Sequence, residues 1–473
     1  MIERAQWTVE IQVESGPHQG RRIGLSGPEI RIGRGADNEV SLADDHTVSE
    51  RHARIYVDSG QWFAEDCGSR NGLLVQSLDQ LSRISVPLPL QPETVLVLGA
   101  TRLRVVLSEV HTSTAASPEP VIAATVLQIA FSEGQLRYRL SGSDPLSRQY
   151  TIDYPDSLAS RIGRDLARIA QRGNAGWSGG MAELRELGTL LGAQIIPQRV
   201  RERLEALPSD GLIVSHDSEL IDVPWELVLS GELLWCERFA LGRQVVLGDL
   251  SQRMAIHGAP KRQRMLIIAD PRGDLPEARE EAETLLWSLE SGRSFLDVDF
   301  LAGGRATQVA VLRAMESADL VYYIGHGVYD PERPEASGWQ LSDGALGPAQ
   351  IRSLSRPPRL VFSNACNSAE ETPQKKEHMG HAPNTGLASG LLLAGVGAVV
   401  GARWPIRAES SAALANVFFH RLLRGTPIGA ALREARMVTR RARGDDDLSW
   451  AAFILYGNPV QRLAPIAPEA ACK

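Results

Sequence analysis

Asp319-Leu320-Val321-Tyr322-Tyr323-Ile324-Gly325-His326-Gly327 and, forty residues on, Arg359-Leu360-Val361-Phe362-Ser363-Asn364-Ala365-Cys366-Asn367-Ser368 decide how this chain is read. Each is a short apolar run that ends in chemistry-bearing residues. Such runs read as parallel strands buried on both faces. In an open α/β sheet, reacting groups collect beyond the carboxyl ends of the strands. A His and a Cys that end two such strands stand where they could meet. A thiol activated by an imidazole is the core of a cysteine hydrolase.

The flanking sequence fits that frame. Strands are expected at 265–269 and 296–300, with helices from Pro276 and Ala306, before the histidine strand. A glycine-rich helix and a strand at 398–401 follow the cysteine strand. This alternation predicts a mainly parallel sheet flanked by helices. Upstream, strands at 124–131 and 136–140 precede helices at 156–171, 181–191 and 198–206 and a strand at 211–214. Residues 1–107 differ: short strands at 7–13, 29–32, 52–57, 62–66 and 102–107, separated by Gly- and Asp-rich turns, predict a β-sandwich. The small, polar, proline-tipped stretch 108–120 reads as a linker. The expected division is therefore a β-sandwich at 1–107, a linker at 108–120, an accessory α/β region at 121–255, a catalytic core at 256–462 and a tail at 463–473.

Composition narrows the function. With 473 residues, 43% hydrophobic and 23% charged, the chain is an ordinary multidomain globular protein. A net charge of −7 with no basic tract argues against nucleic acid as the main partner. The four cysteines (Cys67, Cys236, Cys366, Cys472) are too scattered for a disulfide framework or a C-x-x-C pair. No metal and no cofactor is expected. Met1 to Trp7 has neither the basic start nor the apolar core of a signal peptide. Thr385 to Ala402 carries no charge, but its five glycines (386, 390, 395, 397 and 401) fit a helix, a turn and a buried strand better than a membrane span. The expected location is cytoplasmic.

Three motifs stand in order on the loops of the first 107 residues: Ile32-Gly33-Arg34-Gly35, Val48-Ser49-Glu50-Arg51-His52-Ala53 and Ser69-Arg70-Asn71-Gly72. Guanidinium groups and a hydroxyl are the donors a phosphate needs. Together the motifs resemble a forkhead-associated (FHA) domain. That resemblance implies that Arg34, Ser49 and Arg51 hold a phosphothreonine, that Asn71 bonds the peptide backbone and that His52 braces the loop from inside. Asn71-Gly72 is also an ordinary hairpin turn signal, but its place after the serine–histidine motif favours the family reading. Gln76 stands where the family often carries a second Asn.

Asn364-Ala365-Cys366-Asn367-Ser368 keeps the Ala-Cys step of the caspase signature, whose His lies about 50 residues upstream rather than forty. Residues 121–460 resemble the CHAT family, caspase-like peptidases related to separases. The motifs that carry the resemblance are Pro224-Trp225-Glu226-Leu227, Gly325-His326-Gly327, Ser363-Asn364-Ala365-Cys366, Gly401-Ala402-Arg403-Trp404-Pro405, Ala430-Ala431-Leu432-Arg433-Glu434-Ala435 and Trp450-Ala451-Ala452-Phe453-Ile454-Leu455-Tyr456-Gly457. It implies a caspase-like α/β domain, with Cys366 as nucleophile and His326 as general acid–base. It also implies that the backbone N–H groups of Gly327 and Cys366 stabilise the oxyanion. Taken alone, a Cys at a strand end is a small buried hydrophobe, and the Trp225 and Trp404 motifs read as core.

For specificity, Asp343 and Glu370 are candidates for an acidic pocket favouring Arg or Lys; Arg403 argues the opposite, and a solvated loop explains Glu370 equally well. The expected function is a cysteine endopeptidase directed by phosphothreonine recognition, with a phosphothreonine protein and a protein substrate as partners. The alternative is a catalytically silent, phosphopeptide-dependent scaffold.

Overall fold

Strand Trp7–Ser15 buries Val9, Ile11 and Val13 and turns Glu10 and Gln12 away, the period-two pattern of a sheet with one wet face. In the computed structural model, which describes residues 7–27, 29–58, 61–77, 80–84, 88–90, 94–109, 124–141, 149–173, 179–207, 211–246, 262–289, 296–328, 338–365 and 386–463, this strand belongs to the first of two compact units. That unit has a six-stranded sheet in the order 22–26, 7–15, 101–109, 94–98, 73–77, 80–84 and a five-stranded sheet in the order 40–41, 29–33, 53–58, 61–66, 88–89. Val9, Ile11, Leu103 and Val105 of one sheet share a core with Ile30, Ile32, Ile55 and Ala64 of the other. At about 1.5–3 kcal/mol for each large aliphatic side chain fully buried, this core holds the sandwich together. The five strands read from the sequence are present with slightly shifted ends; not read were Arg22–Ser26, Leu73–Ser77, Gln80–Ile84 and Thr94–Leu98, and the two-residue Val40–Ser41 and Leu88–Pro89.

The second unit is built on an eleven-stranded sheet. Its order is 150–153, 135–140, 125–132, 212–217, 241–246, 453–456, 398–402, 360–364, 320–324, 263–269, 296–302. The histidine strand Leu320–Ile324, the cysteine strand Leu360–Asn364 and Ala398–Ala402 are buried at every residue, as strands covered on both faces must be. They pair in parallel, Ile324 opposite Asn364 and Leu360 opposite Ala398. Phe453–Tyr456 lies antiparallel to Ala398–Ala402 and parallel to Leu241–Val246. It thereby joins the strands of residues 124–246 to those of residues 262–402 in one sheet. Helices Asp156–Gly173, Gly180–Gln194 and Gln198–Glu205, close to the expected bounds, belong to this unit, as do Pro276–Ser288, Gln308–Met315, Leu387–Leu393, Ala408–Leu423 and Ile428–Arg443.

Trp225 and Trp404 are buried in this core. The uncharged stretch resolves into helix Leu387–Leu393, a turn and strand Ala398–Ala402. A Cβ at Gly390 would come 2.3 Å from Pro348, so the glycine permits close helix packing. Among the described residues no helix is long and apolar enough to cross a membrane.

Candidate functional sites

The loops of the first unit are fixed by hydrogen bonds that radiate from one buried imidazole. His52 is fully buried; the Ser49 N–H donates to its Nδ1 (3.1 Å), which leaves Nε2–H to donate to the Gly72 carbonyl (3.1 Å). Burial pushes the His52 pKa down, consistent with this neutral tautomer. His52 thus ties the loop of Ser49 to the loop of Asn71, as the sequence reading assigned it. Ser49 Oγ accepts from the Arg70 N–H (3.0 Å), and Asn71 Nδ2 donates to the Thr47 carbonyl (2.8 Å). The Arg34 N–H donates to the Ser49 carbonyl (2.9 Å), and Arg34 Nε donates to the Val48 carbonyl (3.3 Å). A Cβ at Gly33 would meet the Glu50 carbonyl oxygen at 2.3 Å, which explains the glycine before Arg34. Arg34, Ser49 and Asn71 therefore sit on adjoining loops, with Arg51 exposed beside them.

Two aspartates support these loops: Asp45, in the acidic stretch Asp44-Asp45-His46 that precedes the Ser49 motif in the sequence pattern, and Asp66, which the sequence did not single out. Asp45 accepts from Thr101 Oγ1 (2.6 Å) and the Thr47 N–H (2.9 Å); Asp66 accepts from the N–H groups of Ser69 (2.7 Å) and Leu73 (2.6 Å). The signal was a carboxylate next to a turn of Ser and Thr, whose local donors solvate it.

In the second unit, His326 follows the histidine strand and is 43% exposed. Its Nε2 lies 3.2 Å from Asp274 Oδ1. Asp274 stands on the loop leaving strand Gln263–Ala269, neighbour of the histidine strand. That loop is held by Asp270, which takes a left-handed φ of 44°, receives the Leu275 N–H on its side chain (2.9 Å) and donates its own N–H to the Ile324 carbonyl (2.9 Å). Strain of this kind collects where a loop must aim a side chain. Asp274 was missed because nothing periodic marks a loop residue; its place at the carboxyl end of a strand was the available clue.

A short antiparallel sheet frames His326. Gly327 pairs with Trp339 of strand Gly338–Leu341, and the Gln340 N–H donates to the His326 carbonyl (2.9 Å). The Trp339 ring stacks on Tyr323 at 4.5 Å and 7°, and its Nε1 donates to Ser363 Oγ (2.8 Å) on the cysteine strand. The frame therefore touches both strands.

Cys366 and Glu370 lie outside the described residues. Asp343 is exposed, and its Oδ1 accepts the Gln308 N–H (2.8 Å), capping helix Gln308–Met315. The structure thus gives the Asp343 carboxylate a capping role that the sequence reading did not assign. Arg403 donates to the Asp222 carbonyl.

Two family models match separate parts of the chain. A model of the CHAT domain matches residues 182–458, over half of the chain. One described as "Inner membrane component of T3SS, cytoplasmic domain" matches residues 12–109. The FHA domain-containing protein FhaB of Mycobacterium tuberculosis is 37% identical over 78 residues, 16% of this chain and 50% of that protein. The glycogen accumulation regulator GarA of Mycolicibacterium smegmatis is 41% identical over 65 residues, 14% of this chain and 40% of that protein. The chain thus spans about half or less of the curated relatives it matches. Among solved structures, the FHA domain of the CT664 protein from Chlamydia trachomatis is 24% identical with a TM-score of 0.19, covering 21% of this chain and 96% of that one. The separase–securin complex of Saccharomyces cerevisiae is 12% identical with a TM-score of 0.47, covering 72% of this chain and 30% of that one.

Proposed function

The chain belongs to the CHAT family, and we propose that it is a caspase-like cysteine endopeptidase whose amino-terminal FHA unit recruits it to a phosphothreonine-containing protein. The observation that carries this reading is the register of the two central strands. Ile324 lies opposite Asn364, and two residues beyond each the chain carries His326 and Cys366.

The mechanism follows from the bonds around His326. Asp274 accepts from Nε2–H, which selects the tautomer whose Nδ1 lone pair is free to take a proton. Nδ1 removes the Cys366 thiol proton, and the thiolate attacks the scissile carbonyl. The N–H groups of Gly327 and Cys366 receive the oxyanion, and the imidazolium returns its proton to the leaving amine. Water then hydrolyses the thioester by the same base. Asp274 stabilises the imidazolium as it forms. Asp274→Ala is expected to lower kcat about 10- to 100-fold with little change in KM, a share of the 10²–10⁴ that general acid–base catalysis supplies. An unchanged kcat would remove Asp274 from the mechanism. The reading as a whole is tested by trapping with an electrophilic peptide. Labelling should be lost in Cys366→Ala, and no labelling of the wild type under any condition would favour the scaffold.

In the FHA unit, Arg34 and Arg51 supply charge and Ser49 a hydroxyl to the phosphate, and Asn71 holds the peptide backbone. Ser49→Ala and Arg34→Ala are each expected to weaken binding of a phosphothreonine peptide, selected from a degenerate library, about 10- to 100-fold, the loss of one bond to a charged group. Titration against the unphosphorylated peptide is the control; equal affinity for both would refute phosphate recognition.

A further inference from the structure

Helix Pro276–Ser288 turns Ala278, Ala282 and Leu285 into the core, and Glu281, on the same face, is buried with them. Its Oε1 accepts two hydrogen bonds: one from the Tyr322 hydroxyl of the histidine strand, one from Asn364 Nδ2 of the cysteine strand (2.8 Å). Asn364 Nδ2 also lies 3.1 Å from Ser411 Oγ on helix Ala408–Leu423, whose own proton goes to the Ala408 carbonyl (2.9 Å). The donors and acceptors are thus matched, and both Asn364 amide protons have a partner. We propose that Glu281 is a positioning residue, the clamp that sets the three segments bearing the catalytic groups relative to one another.

Chain position argues for this. Tyr322 precedes His326 by four residues, Asn364 precedes Cys366 by two, and Glu281 follows Asp274 by seven on the helix into which the Asp274 loop runs. A buried carboxylate, phenol and carboxamide between parallel strands are costly to desolvate, and apolar residues of the same size would hold the sheet at least as well. What apolar packing lacks is direction: hydrogen bonds fix the rotation and spacing of the strand ends. Burial pushes the Glu281 pKa up to about 7, so its neutral form is accessible at working pH, and that form still offers a carbonyl oxygen to both donors. The role therefore needs the acceptor rather than the charge.

This clamp rests on the peptidase reading, and the test separates the two. Full-length Glu281→Leu, Glu281→Gln and Tyr322→Phe are compared with wild type by thermal unfolding, by kcat and KM on a substrate found by cleavage mapping, and by the rate of Cys366 alkylation by iodoacetamide, read by peptide mass spectrometry. Glu281→Leu is expected to fold, to keep KM within about threefold and to lose at least about tenfold in kcat and in alkylation rate. Glu281→Gln, which keeps Oε1, should recover to within about threefold, and Tyr322→Phe should fall between. If Glu281→Leu fails to fold, Tyr322→Phe and Ser411→Ala decide by the same criteria. Folded variants with wild-type kcat and alkylation overturn the clamp alone. A wild type with no Cys366-dependent cleavage, and alkylation no faster than in His326→Ala, overturns the peptidase reading and the clamp with it.

Discussion

Cys366→Ala is expected to abolish cleavage, with a loss of about 10⁴-fold or more, because neither described thiol, Cys67 or Cys236, can take its place. Cys236 is fully buried, and burial pushes its pKa up to about 12, so it is neither accessible nor ionised near neutral pH. Cys67 is exposed, but partial burial of its thiol also raises its pKa, and it lies in the other unit. A thiol becomes a nucleophile only as thiolate, so neither matches a Cys served by an imidazole base. His326→Ala should cost about 10²–10⁴-fold, less than loss of the nucleophile, since the thiol retains some ionisation of its own. The measurement is proteome-wide mapping of new amino termini with wild type, Cys366→Ala and His326→Ala. Sites present with wild type and absent with both variants give the substrate and the residue preferred before the cut. They also test whether an acidic pocket selects Arg or Lys. Identical termini in all three samples would end the peptidase reading.

How much of this was legible in the sequence depends on how locally each feature is encoded. Strands such as Leu320–Ile324 and Leu360–Asn364 could be read because burial on both faces writes a continuous apolar run. Strand order could not. Phe453–Tyr456 lies between Leu241–Val246 and Ala398–Ala402, and no local pattern reports a pairing between segments so far apart in the chain. The loops of Ser49, His52 and Asn71 could be read because each is written in a short run of consecutive residues, 48–53 and 69–72. Asp274 and Glu281 could not be read this way, since their partners lie far off in the chain: His326 for Asp274, Tyr322 and Asn364 for Glu281. Glu281 did leave a trace, a carboxylate on the apolar stripe of its helix beside Ala278, Ala282 and Leu285. A charge on a buried face needs a partner, and that requirement can be read from sequence alone.

The same requirement gives the second large effect. Glu226, in the motif Pro224-Trp225-Glu226-Leu227, is 3% exposed, and Arg243 on strand Leu241–Val246 is fully buried. Arg243 grips the carboxylate with two nitrogens, Nε to Oε1 at 2.8 Å and Nη2 to Oε2, while Nη1 donates to the Ile221 carbonyl at 3.0 Å. Burial pushes the Glu226 pKa up, but the attraction and hydrogen bonding of Arg243 outweigh it and hold the carboxylate below its usual range. Arg243 pairs with Tyr456 at the strand that joins the two parts of the sheet, so the ion pair sits at that junction. Removing one partner strands the other charge in the core. Glu226→Ala and Arg243→Ala are each expected to cost about 3–5 kcal/mol, a large share of the stability of an ordinary domain. Replacing both with Leu removes two desolvation costs at once and should cost far less than either single change, about 1 kcal/mol or below. Urea unfolding of the second unit, followed by the fluorescence of its buried tryptophans Trp225, Trp235, Trp339, Trp404 and Trp450, measures all three. If the double variant is as unstable as the sum of the singles, the pair does not act as a unit. In that case the Pro-Trp-Glu-Leu motif is held by its apolar residues and not by its charge.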